Sequence, residues 1–99
     1  MSNKKIVRPA TKRELDRLYQ AFAELDSAAD AQALLQDMCT IREVEEMSQR
    51  LEVARLLNRS ESYTSITEKT GASATTIARV AKSLNYGAGG YLRVLGSGS

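Results

Sequence analysis

A chain of 99 residues with 14 Lys and Arg against 12 Asp and Glu, one cysteine and neither histidine nor tryptophan has room for one domain with a modest core. It lacks the parts of a Cys/His metal site, a disulfide framework or a histidine-based catalytic triad, so no metal, no cofactor and no enzyme are expected. No apolar run approaches the roughly 20 residues of a membrane span, and the opening MSNKKIVRP has no apolar stretch of the signal-peptide kind; the expected location is the cytoplasm, with no membrane partner.

Residues 1–10 form a basic arm carrying Lys4, Lys5 and Arg8. Leu15, Leu18, Phe22 and Leu25 then fall on one helical face, and Thr11 with Glu14 three residues later is a capping-box pattern. Ala31, Leu34, Leu35 and Met38 repeat the rhythm in a shorter second helix, capped by Ser27 or Asp30 and ending before Thr40. Thr40-Ile-Arg-Glu43 is another capping box and opens the longest apolar pattern, Ile41, Val44, Met47, Leu51, Val53, Ala54, Leu56 and Leu57. These positions cover more than one face, which predicts a third helix buried from several sides. Cys39, beside the Thr40 cap, reads as a buried filler.

From residue 58 the elements shorten. Asn58 to Ser62 reads as a loop, and Tyr63 to Lys69 as two helical turns with Tyr63 and Ile66 turned inward. Thr70-Gly-Ala-Ser73 breaks the helix, since glycine tolerates the positive φ that a helix end often needs. Ser73 caps a further helix with Ile77, Val80, Ala81 and Leu84 inside and Thr75, Ala78, Arg79 and Lys82 outside. Tyr86-Gly-Ala-Gly-Gly-Tyr91 stops it, with both tyrosines expected to pack back over the head. An apolar tail, Leu92 to Leu95, and a flexible tail over residues 96–99 follow. No run alternates as a strand. The expected architecture is all-α, one helical domain over residues 11–95 with a helix-turn-helix at about 63–85.

Charge is distributed unevenly: residues 1–13 are basic without an acid, residues 14–54 hold ten acids against three bases, and residues 55–99 hold six bases against two acids. Two basic ends favour a polyanion, and the acidic middle avoids one. Two short helices around a glycine-containing turn make a helix-turn-helix. In such a reader Ser73, Ala74, Thr75, Thr76 and Ala78 would approach base edges in the major groove of double-stranded DNA. Lys69, Arg79 and Lys82 would hold phosphate. The rival reading is an all-α protein-interaction module that keeps the shape without reading DNA.

The segments LLQDMCT, QRLEVARLL, TGASATTIARV and LNYGAGGY, spread over more than half of the chain, resemble the Trp repressor superfamily and, within it, the YerC/YecD-like branch of small bacterial helix-turn-helix proteins. The resemblance implies an intertwined homodimer whose reading heads sit about 34 Å apart on a palindromic operator, and a transcriptional repressor. It also implies a small-molecule corepressor site. Arg50, Arg79 and Ser83 fall on the effector-binding positions, although Arg50 has a structural alternative in pairing with Glu46. Val80 stands where tryptophan-binding members have glycine and occupies the space of the indole, which argues against L-tryptophan. The helix that follows the reading head in the Trp repressor is expected to be missing or truncated here.

Overall fold

Five hydroxyl side chains set where helices begin. The computed structural model describes residues 8–96 and contains, within that range, six helices and no strand: α1 Lys12–Ala23, α2 Ala28–Met38, α3 Ile41–Asn58, α4 Tyr63–Thr70, α5 Ala74–Tyr86 and α6 Gly90–Leu95. Thr11, Thr40, Ser62 and Ser73 each accept an amide proton from the third residue beyond them. Ser27, rather than Asp30, does the same for α2, at 3.1 Å from the Asp30 amide. These bonds satisfy amides that have no intrahelical acceptor. The two capping boxes are complete, with Glu14 and Glu43 bonding back to the Thr11 and Thr40 amides at 3.0 and 2.8 Å.

By internal contacts the chain divides into residues 1–38 and 39–99. In the first unit, α1 is strongly amphipathic, but neither α1 nor α2 contains a buried residue. Leu15, Tyr19, Phe22 and Met38 are exposed, and Leu18, Leu25, Leu34 and Leu35 are half-buried. Arg8 grips the Glu14 carboxylate with both terminal guanidinium nitrogens, Nη1 and Nη2, at 2.9 and 2.7 Å, and so extends the α1 cap into the arm. The rest of the basic arm, residues 1–7, and tail residues 97–99 lie outside the described residues.

The second unit holds the core. Val53, Ala54 and Leu56 of α3, Ile66 of α4, Ala72 of the turn, and Ile77 and Val80 of α5 form one buried cluster, with Leu57, Tyr91 and Leu95 packed against it. The buried residues of α3 all lie in its C-terminal half. Ile41 and Leu51 stay exposed, short of the burial expected along the whole helix. Cys39 is half-buried. The apolar tail forms α6, a six-residue helix entered through Gly89 at φ +87° and tied to the end of α3 by the Asn58 amide, which donates to the Gly96 carbonyl at 2.8 Å.

Two inward assignments need correction. Tyr63 is 44% exposed; it is the first residue of α4, and helical side chains tilt toward the N-terminus, off the end of this two-turn helix. Tyr86 is 85% exposed: nine residues beyond Ile77, it lies about half a turn from the buried face of α5. Tyr91 does pack on the core.

Candidate nucleic-acid interface

The turn between α4 and α5 is built from backbone requirements. Gly71 adopts φ +77°, the left-handed conformation glycine tolerates, and its amide donates to the Thr67 carbonyl at 2.8 Å. The Thr70 hydroxyl donates to the Ile66 carbonyl at 2.7 Å and accepts from the Ala72 amide at 3.1 Å, while Ala72 enters the core. From α3, the Gln49 amide donates to the Thr70 carbonyl at 3.1 Å, pinning the turn from behind. Sequence reasoning missed Gln49; polar side chains that reach another helix leave no periodic signal.

Beyond the turn, α5 is split by its own pitch. Ile77 and Val80 are buried and Ala81 and Leu84 half-buried, whereas Ser73, Ala74, Thr75, Ala78, Arg79 and Lys82 are exposed and Thr76 is half-buried. The helix carries no acidic residue. Ser73 Oγ accepts from the Thr76 amide at 3.1 Å and donates to Thr76 Oγ1 at 3.2 Å, so these two hydroxyls hold the helix start. Thr75 and Ala78 project a hydroxyl and methyl groups outward, the small chemistry that suits close approach to base edges. The first amides of α5 and its positive dipole end add affinity for anions.

Lys69 differs from the other two cations of this surface. Its ammonium lies 2.8 and 3.1 Å from the Glu61 carboxylate oxygens, and Ser65 Oγ donates to the same carboxylate at 2.7 Å. The Lys69 ammonium and the Ser65 hydroxyl together hold the Glu61 carboxyl below its ordinary range. Ser65 and Lys69 share one face of α4, and Glu61, four residues before Ser65 and just ahead of the Ser62 cap, reaches that face.

Arg50 and Arg79 line a common groove of about 280 Å³ with Glu46, Gln49, Thr76 and Val80. Val80, 2% exposed, belongs to both the core and this groove. Ser83 instead lines a hollow of about 460 Å³ with Leu51, Gly87, Ala88, Gly90, Tyr91 and Val94. The structure thus brings two of the three candidate effector residues together and places the third elsewhere. Glu46 meets Arg42 at 4.0 Å, where the sequence offered Arg50 as its partner. Among the described residues, no cluster of three or more His, Cys, Asp or Glu is placed to hold a metal ion, and no helix is long and apolar enough to cross a membrane.

The family model described as Trp repressor protein matches residues 13–98. The Bacillus subtilis (strain 168) protein described as uncharacterized protein YerC is 42% identical over 79 residues, which span 80% of this chain and 76% of that one. The solved structure of a TrpR-like protein from Eubacterium eligens ATCC 27750 superposes with a TM-score of 0.80 at 46% identity, covering 84% of this chain and 86% of that one. A Staphylococcus aureus structure gives the same TM-score at 34% identity, over 86% and 85% of the two chains.

Proposed function

We propose, from the premise that this chain belongs to the Trp repressor family, that it is a sequence-specific DNA-binding transcriptional regulator, acting as a dimeric repressor on a palindromic operator. The observation that carries the reading is α5. A Ser73-capped helix, anchored by Ile77 and Val80, presents an acid-free outer face of Thr75, Ala78, Arg79 and Lys82 beside a glycine turn. Thr75 and Ala78, with Ser73, Ala74 and Thr76 at the helix start, meet base edges; Arg79, Lys82 and Lys69 meet phosphate. Such a regulator works in the cytoplasm and needs no catalytic group.

Dimerisation is supported by the uncovered apolar side chains of each unit, Leu15, Tyr19 and Phe22 in the first and Ile41 and Leu51 in the second. Apolar surface of this kind is stabilised by burial against a second copy. A two-fold dimer presents two reading helices about one DNA turn apart, roughly 34 Å. The groove of Arg50 and Arg79 is the place for an effector, and Val80 in its lining disfavours an indole there.

The test is selection of bound duplexes from a randomised pool by the purified, ligand-free protein at near-physiological salt. A two-fold symmetric motif with half-sites one turn apart is expected. Retention of duplexes without any enriched motif, unchanged when candidate effectors are added, would replace this reading with the protein-docking module.

A further inference from the structure

Lys69 closes α4, the helix that in a helix-turn-helix crosses the phosphate backbone. Yet in the free protein its charge is already answered. Glu61, immediately before the Ser62 cap, presents both carboxylate oxygens to the Lys69 ammonium and accepts the Ser65 hydroxyl as well. The Glu61 side chain is 21% exposed and that of Lys69 56%, so the acid is the sheltered partner and the lysine the one open to a competing anion. Arg59 adds its field to keep the acid ionised. An anionic group with two oxygens, held by a hydroxyl and an ammonium, resembles in charge and geometry what a DNA phosphate would offer the same lysine.

Resting on the DNA-binding reading above, we infer that Glu61 is an affinity-setting residue: its carboxylate occupies Lys69 as a phosphate would, so that Lys69 reaches the DNA only by exchanging one anion for another. The exchange makes the Lys69 contribution nearly neutral in total charge. It weakens sequence-independent attraction, which comes from phosphates, and leaves base contacts by α5 untouched. Glu61 thereby lowers affinity for any duplex without touching a base.

The experiment compares the full-length protein with Glu61→Gln, Lys69→Met and the double variant, using a fluorescently labelled mixed-sequence duplex over a series of salt concentrations. Glu61→Gln is expected to tighten binding by about three- to tenfold at low salt. It should also steepen the dependence of log K on log salt by up to about 0.9, the full counterion release Lys69 gives at its phosphate once no carboxylate competes for the ammonium. Both gains should vanish when Lys69→Met is also present. Ser65→Ala, which withdraws the carboxylate's second support, should move both quantities the same way by a smaller step and serves if Glu61→Gln fails to fold. Unchanged affinity and slope in a folded Glu61→Gln or Ser65→Ala protein would overturn the inference and leave the DNA reading intact. A gain that survives in the double variant would also overturn it, because the carboxylate would then act by its own repulsion of phosphate. Absence of binding by the wild type and every variant would remove the DNA reading itself, and the inference with it.

Discussion

Truncating Ile77 tests how much the buried side of α5 contributes to the core. Ile77 is 0% exposed, so Ile77→Ala withdraws three fully buried carbons. At about 0.8 kcal/mol for each, the transfer loss is roughly 2.4 kcal/mol. The cavity left between α3 and α5 brings the total to about 3–4 kcal/mol. Ile77→Val removes one carbon and should cost about 1 kcal/mol. Total stabilities of small domains are roughly 5–15 kcal/mol, so the alanine variant should show a clearly lower urea midpoint at an unchanged m value. Far-UV circular dichroism at fixed chain concentration is the assay, since self-association shifts apparent stability. Under conditions where the variant is folded, binding to mixed-sequence duplex should match the wild type, because Ile77 faces away from Arg79 and Lys82. A loss below about 1 kcal/mol for alanine, with m unchanged, would refute the packing argument.

The Glu14 carboxyl is held down at about 2, chiefly by Arg8, below its ordinary 4.5. A group whose folded value is depressed contributes fully above its unfolded value and loses that contribution as pH falls through the folded one. The α1 amide signals should therefore shift toward coil between about pH 4.5 and 2, and in Glu14→Gln this acid transition should be absent; an identical pH profile in both proteins would contradict the cap geometry. Ser60 sits at φ 65° without being glycine, so Ser60→Gly should raise the urea stability by about 0.5–1 kcal/mol. Arg79→Ala and Lys82→Ala should each flatten the salt dependence of duplex binding by about 0.9, and a slope equal to wild type would remove that residue from the phosphate contacts.

Much of this architecture is written in local chemistry. Thr11 with Glu14 and Thr40 with Glu43 announce helix starts because a capping box needs only residues three apart, and Gly71 announces the turn because its φ excludes most side chains. The inner face of α5 follows from pitch alone. What escaped is what depends on the ends of elements or on distant partners. Tyr63 matched the spacing of Ile66, but position in a two-turn helix, and not spacing, decided its exposure. Gln49 holds the turn from 21 residues away, and no pattern along α3 marks it. In the candidate site, the outward positions of α5 could be named from the sequence. That Lys69 is engaged by Glu61 could have been suspected from the 61, 65, 69 spacing, but Lys69 was considered only as a partner for phosphate. Ser83 was assigned to the effector site through resemblance, and the groove beside Arg50 and Arg79 does not include it.

The order in which the two units leave the ribosome bears on how the protein matures. Domains tend to fold in the order they are synthesised, yet here residues 1–38 emerge first and contain no buried side chain in either helix. The buried cluster cannot close until Ile66, Ile77 and Val80 have been made and can meet Val53 and Leu56. The core-forming unit is thus the later one to be completed, while Leu15, Tyr19 and Phe22 of α1 belong to the part made first.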